Sequence, residues 1–477
     1  MHWTFGTPLP GRAVVATVFR NEVHLLRGTF RFQASAFLLV FMMALAAVTS
    51  AARYRGEILE QAEAVNAYGR RLAGATIDQV VEILHLAVRP SWRLSLVVDG
   101  GQAVTPDAYG QALSALVAPE LRRIHSGNYR LPGPEPLDWM FVIRVVLSLS
   151  AFLLGYDAVC GERQAGTLKL LLSYPVRRWN VLAGKLLAIW SCLAAPFLAG
   201  AVLSLLIAGL GGVPFNAQDL IKAGLVALVS LWAAAFFTLA ALLVSSLARD
   251  SSTSLSILAW LWVTAVIVVP AVSGLLAHRL HPIQTEGEIS REMQAIDRRI
   301  AREYAGREGH WRPPGWAAAD GFVWERASAE AENRRWSLQE EVRRRGLQRK
   351  IGQSRLAKDL ASLSPASLVE NLAERLAGSG LWRDESFIEQ AWAFRSALAE
   401  RVKTLDARDP ESPHILFFSG YVSKRPVGSG VIGHFVFRER SVRQGLKAAR
   451  PALALFLCET LALAAASLFF FSRYDAG

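Results

Sequence analysis

Few residues in this chain have the types and spacing that chemistry requires. Gly184-Lys185 has the look of a phosphate-gripping pair. However, position 179 is Trp179 and the next residue is Leu186, so the first glycine and the hydroxyl of a phosphate loop are absent. Gly428-Ser429-Gly430 with Gly433 fits G-x-G-x-x-G but lacks the strand–helix–strand setting of a dinucleotide site. His278 and His281 are two imidazoles without a third ligand nearby, the pattern of surface residues rather than of a metal site. There is no HExxH, no nucleophile elbow and no acid pair of catalytic character. The chain therefore reads as non-catalytic, with no metal and no cofactor of its own.

What remains is a charged stretch whose chemistry is contact. LLGYDAVCGERQAGTLKLLLSYPVRRWNVLAGK runs from Leu153 to Lys185. An apolar run ends at Asp157, and Glu162 and Arg163 form a charged turn. Gly166 permits a tight backbone, and Thr167 is placed to cap a short helix. Leu168, Leu171 and Leu172 give that helix an apolar face, Pro175 ends it, and Arg177 and Arg178 add positive charge before the next apolar run. A short basic loop with its own helix suits receiving a push from a soluble partner and passing it on.

The elements that must hold this loop are apolar. The chain has 477 residues, 52% hydrophobic and 19% charged, with mean hydropathy +0.27. Six runs are near the roughly 20 residues that a bilayer requires. They are Ala34–Ala52, Trp139–Tyr156, Leu186–Leu210, Ile221–Ala248, Ser254–Ala277 and Pro451–Ser472. The expected fold is an all-α polytopic membrane protein with two mainly helical insertions, 53–138 and 278–450, and a minor β element. The first run reads as an uncleaved signal-anchor. Basic residues flank one end of the spans: four Arg in the N-terminal segment 1–33, five basic residues in the loop 157–185, and Arg473 in the tail 473–477. By the positive-inside rule both termini are cytoplasmic and both insertions are outside. The net charge of +12 then belongs to membrane flanks and solvated helices, and no groove-reading motif points to nucleic acid. Cys160, Cys192 and Cys458 each lie in or beside an apolar run and imply no disulfide framework.

Several local expectations follow. Arg12 to Phe32 is moderately amphipathic, either a helix on the inner membrane surface or a plain tail. Arg144 is an intramembrane charge, either functional or snorkelling to the near interface. Pro196 and Pro270 are expected to kink their spans. The first insertion opens with a helix through about Leu72, places a strand near Leu94–Val98, and closes with a stiff run of Pro132, Pro134 and Pro136. In the second, Ile289, Met293, Ile296, Ile300 and Tyr304 share a helix face. Long helices follow over Ala317–Leu360, from Ser364-Pro365 to a glycine stop, and over Glu385–Leu405, before strand-like runs in His414–Phe437. Trp311, Trp316, Trp324, Trp336, Trp382 and Trp392 fit packing between helices or headgroup contact better than a ligand cleft.

The series Asp157, Glu162-Arg163, Gly166-Thr167-Leu168, Leu171-Leu172, Pro175, Arg178 and Gly184-Lys185 resembles the signature of ABC-2 type transporter permeases. The branch it resembles is that of the nitrous-oxide-reductase accessory and multicopper-enzyme-maturation permeases. VVPAVSGLLAHRLHP and SLSPASLVENLAERLAGSG are similar to the outer domain of the subgroup with two large insertions. The resemblance implies an ATP-driven transporter in a bacterial cytoplasmic membrane and a separate ATPase chain that binds ATP and Mg. It also implies a second permease copy or paralogue, and docking of the ATPase on Asp157, Glu162, Arg163, Gly166, Thr167, Leu168, Pro175 and Arg178. A rival reading keeps these parts but makes the outer segments work on an envelope partner, with no solute path.

Overall fold

A computed structural model describes residues 11–473 except 103–104, 115–116, 118, 125–135, 174–175, 306–321, 417 and 419. The chain opens with α1 (Gly11–Arg27) and α2 (Phe30–Leu72), then α3 (Ile77–Glu82). Three short strands follow: β1 (His85–Val88), β2 (Ala108–Gln111) and β3 (Glu120–Arg122). The second span comprises α4 (Trp139–Phe141), a π-helical segment Val142–Leu147 and α5 (Ser148–Gly155), and the loop carries α6 (Cys160–Gln164) and α7 (Thr167–Ser173). Next come α8 (Arg178–Leu210), α9 (Ala217–Leu247) and α10 (Ser251–Val263), a second π-helical segment Thr264–Val268, and α11 (Val269–Leu280). The second insertion holds α12 (Glu286–Glu303), α13 (Val323–Ala361), α14 (Pro365–Ala377), α15 (Leu381–Asp406) and α16 (Ser429–Ile432), and α17 (Val442–Ser472) closes the chain. Six of these helical stretches are long and apolar enough to cross a membrane, as the six apolar runs require. The protein is an all-α polytopic membrane protein with a minor three-stranded antiparallel sheet, ordered β1-β2-β3.

The spans pack through small residues, as expected where apolar lipid gives no hydrophobic drive between helices. A Cβ on Gly200 would meet Met43 Sδ at 2.8 Å and the Val40 Cα at 3.4 Å, and one on Gly155 would meet the Ala241 Cβ at 2.6 Å, so these glycines let the neighbouring helices approach closely. At Pro270, where a kink is expected, the helix runs on through a π-helical segment. Just before the proline the hydrogen bonds lengthen to π register, with the Val269 N–H on the Thr264 carbonyl. In that register Pro270 would serve Ala265 but has no N–H to give. The Ser364 hydroxyl donates to the Ala265 carbonyl instead, at 2.6 Å. Ser364 is also the N-cap residue of α14, so the carbonyl that Pro270 leaves free in span five anchors a helix of the second insertion.

The two insertions fold as one unit. The sheet of the first lies against α15 of the second: Ala87 and Tyr109 pack with Phe387, Ile388 and Ala391. Arg383, 2% exposed, crosses the boundary. It donates to Glu439 (Nη2–Oε1 2.5 Å), Gln102 Oε1 (2.8 Å) and the Pro90 carbonyl (2.7 Å), and lies 4.7 Å from the Trp92 ring centroid. Arg89 pairs with Asp384 across the same seam. Of the described tryptophans in that set, Trp336, Trp382 and Trp392 stack between helices against Arg395, Arg375 and Arg344, while Trp324 is exposed.

Two local expectations are corrected. Leu94–Val98 is no strand. Its backbone runs in successive turns, with Val97 and Val98 N–H both on the Leu94 carbonyl at 2.9 Å. Leu94, Leu96, Val97 and Val98 all enter the core of the span bundle, and burial on every side removes the alternation that a half-buried strand would show. His414–Phe437 forms no strand among its described residues. It runs irregularly around the one-turn α16, with a single bridge between Thr76 and Pro426. Ala317, Trp311, Trp316, Pro132 and Pro134 lie outside the described residues.

A buried histidine ties α2 to this unit. His85 is fully buried on β1. Its Nε2 lies 2.9 Å from the Val80 carbonyl, which only accepts, so Nε2 carries the proton. Nδ1 accepts from the Tyr68 hydroxyl at 2.7 Å. Burial holds the imidazole neutral and lowers its pKa to about 4. Between pH 4 and the ordinary 6.5 the unfolded chain binds the extra proton. The contribution is therefore complete above pH 6.5 and is lost as pH falls toward 4, amounting to about 3 kcal/mol. Melting curves of the full chain from pH 7 to 4 are expected to show this loss, and His85→Asn is expected to flatten it. An equally steep profile in the variant assigns the loss to other groups.

Candidate functional site

The loop between spans two and three is fastened to nearly every span. Span two ends at Gly155, and α6 follows a turn. The α6 amino end is capped from α9: Ser245 Oγ accepts the N–H groups of Val159 (3.0 Å) and Cys160 (3.2 Å). Asp157 pairs with Arg31 of α2 at 2.9 Å. Arg163 donates to the Ala248 carbonyl (2.9 Å) and the Ser246 carbonyl (3.3 Å) at the carboxyl end of α9, where cationic donors satisfy free carbonyls. Gln164 Oε1 accepts from the Ser251 hydroxyl of α10 at 2.8 Å. Arg178, opening α8, donates to the Ser472 carbonyl at the end of α17, at 2.8 Å.

At the centre is Lys185, 1% exposed on α8. Its ammonium reaches Glu162 Oε1 of α6 at 2.7 Å and also bonds Glu22 of α1. An ammonium has three donors, so one lysine can hold two carboxylates, and a buried charge is tolerated when it is paired and hydrogen-bonded in this way. One residue away, Gly184 lets α1 against α8: a Cβ there would meet the Val18 side chain at 2.7 Å. The segment Arg12–Phe32, expected as a surface helix or a tail, is helical over α1 and packed on span three.

The predicted site residues divide between inward and outward. Glu162 and Arg163 are both consumed inside the protein. Gly166 has φ +74 with open space about it, the left-handed turn that its position between α6 and α7 demands. Thr167 is exposed, and its hydroxyl donates back to the Glu162 carbonyl at 3.2 Å, so it fastens α7 to α6. Leu168 is buried in the bundle core, while Leu170 on the same helix is 64% exposed. Pro175 lies outside the described residues. Lys185 was visible as part of the loop signature and as one of its basic residues, but its two carboxylate partners were not; Arg31 was visible only as a positive charge of the N-terminal segment.

Arg144 lies at the other end of span two, inside the first π-helical segment. It pairs with Glu370 of α14, in the second insertion, at 3.1 Å. Ala366, Val369, Leu372, Ala373 and Leu376 of α14 belong to the core of the span bundle. α14 thus packs against both π-helical segments and against α9 and α17.

Six helices long and apolar enough to cross a membrane, with a helical loop fastened to their ends, make up the described fold. The chain belongs to the ABC-2 family transporter proteins, matching that family over residues 16–476. It is also similar to the probable ABC transporter permease protein NosY of Pseudomonas aeruginosa, 47% identical over 55 residues, which are 12% of this chain and 20% of the relative. NosY of Stutzerimonas stutzeri is 46% identical over 55 residues, with the same coverage. The match thus spans a fifth of these relatives' length.

Proposed function

We propose that this chain is the membrane-spanning subunit of an ATP-driven exporter in a bacterial cytoplasmic membrane. It works with a second permease copy or paralogue and with a separate ATPase that docks on the loop 157–185. The observation that carries this reading is the set of ties from that loop to spans one, three, four and five. A helix so clamped cannot move without moving the span ends, which is what coupling to an ATPase cycle requires. The basic flanks at this end support a cytoplasmic location for the loop and both termini.

With Glu162 and Arg163 turned inward, the docking face is Gly166, Thr167 and the exposed Leu170. Leu170→Asp puts a charge where an apolar contact is expected. Co-purification of the ATPase, normalised to permease in the membrane, is expected to fall about tenfold or more, with expression unchanged. Gly166→Val strains the turn and should act in the same direction. Full retention of the ATPase by both variants sinks the docking assignment.

A second reading, mechanical work on an envelope partner, is favoured by one feature. α2 runs unbroken for 43 residues, about 65 Å at about 1.5 Å per residue, from the loop end through the bilayer into the fused insertions. Vesicle uptake with the ATPase present separates the two: ATP-dependent accumulation of solute supports export, and its absence alongside intact ATP turnover supports mechanical work.

A further inference from the structure

The end of span six nearest the insertions carries cations that the rest of the chain does not use. Arg443, Lys447 and Arg450 of α17 are all exposed. No acidic residue occurs between Glu439 and Glu459, and Glu439 is held by Arg383. Among the described residues, none pairs with Arg443, Lys447 or Arg450. Their spacing puts the three within about 60° of one another around the helix. The same face continues as Ala454, Leu457, Leu461 and Leu468, all of them exposed.

The opposite face is taken. Gly445, Ala449, Ala452 and Phe456 are buried. A Cβ on Gly445 would meet the Leu376 carbonyl oxygen of α14 at 2.8 Å, and Arg375 of α14 donates to the Ala448 carbonyl at 3.2 Å. α17 is thus fixed against α14 on one side, which turns the cationic side outward.

Depth says what meets that side. Arg450 is followed directly by Pro451, where the apolar run begins. Arg443 lies about 10 Å further along the axis, at about 1.5 Å per residue. A headgroup layer adds about 5–8 Å to each side of the hydrocarbon, and long basic side chains reach along a helix to it. The three charges therefore stand at headgroup level, directly above exposed leucines at acyl-chain depth. A face of this kind fits a molecule with an anionic head and apolar tails. A second copy of this chain does not fit it, because a two-fold contact would set the same three cations against each other. We propose that this face of span six binds an anionic phospholipid, with the phosphate on Arg443, Lys447 and Arg450 and an acyl chain along Leu457 and Leu461. The face is at the far end of the spans from the coupling loop, and its test uses no ATPase.

The test is native mass spectrometry of the full chain in detergent, titrated with equal amounts of dioleoyl-phosphatidylglycerol and dioleoyl-phosphatidylcholine. Wild type is expected to retain the anionic lipid preferentially. Arg443→Gln with Lys447→Gln and Arg450→Gln should lower the ratio of bound anionic to zwitterionic lipid about tenfold or more. Arg443→Lys with Arg450→Lys should keep it. Arg298→Gln with Arg299→Gln and Arg302→Gln removes the same charge from exposed positions of α12 and should also keep it. Inorganic phosphate should not displace the lipid, since it has no tail to lie on the leucines. Absence of a preference in wild type, an unchanged preference in the span-six triple variant, or an equal loss in the α12 triple variant overturns the proposal. Displacement by inorganic phosphate overturns it too, and assigns a plain anion site. So does a wild-type dimer without lipid preference that the span-six variant loses, which assigns the face to a second copy. If melting temperature shows the span-six variant to be unstable, wild type alone decides: its preference should fall as salt rises, and a salt-independent preference overturns the proposal.

Discussion

Lys185→Met is expected to abolish coupling and to lower stability by about 3 kcal/mol, because it strands Glu22 and Glu162 beside each other without their cation. The figure is at the low end for a broken buried pair because Glu162 keeps 29% of its side chain exposed. The triple variant with Glu22→Gln and Glu162→Gln removes the stranded charges. It is expected to recover the melting temperature and not the coupling, since neutral groups no longer bind α1, α6 and α8 into one body. Permease-stimulated ATP hydrolysis and melting temperature, measured on both variants, read the two effects apart. Wild-type coupling in Lys185→Met removes the lysine from the mechanism.

The second large effect is expected at Arg383. Arg383→Met deletes the donors that serve Glu439, Gln102 and the Pro90 carbonyl, all gathered on one buried guanidinium. Leaving those acceptors unserved is expected to cost about 4 kcal/mol. Arg383→Lys should not restore it, because an ammonium cannot span three acceptors with a planar fork. Limited proteolysis of the full chain should show faster cleavage in both insertions at once. Cleavage in 381–440 alone would mean that the two insertions are separate units.

Both expectations concern contacts that a linear reading cannot see. The six spans were legible because an apolar run long enough to cross a bilayer is a one-dimensional signal. Ile289, Met293, Ile296, Ile300 and Tyr304 were legible for the same reason, and Ile296, Ile300 and Tyr304 do pack against Ala331 and Leu338 of α13. The loop was legible as a charged element, but the direction of its charges was not. Glu162 and Arg163 look like groups for a partner until the structure sets a buried lysine and two helix-end carbonyls beside them. Leu94–Val98 misled because alternating leucines suggest a strand, whereas a segment roofing a helical bundle buries its residues on every side. The fusion of the insertions left no local trace, since Arg89 and Asp384 are 295 positions apart.

That separation has a consequence for biosynthesis. Synthesis runs at about 5–20 residues per second, so Arg89 waits roughly 15–60 s after its own translation before Asp384 exists. In that interval four further spans must enter the membrane. β1 to β3 meanwhile lack the α15 face on which Ala87 and Tyr109 pack, so the apolar side of the sheet is uncovered. A chaperone that covers that apolar side is expected to engage the nascent chain before Phe387, Ile388 and Ala391 are made, and to lose its hold once α15 packs there.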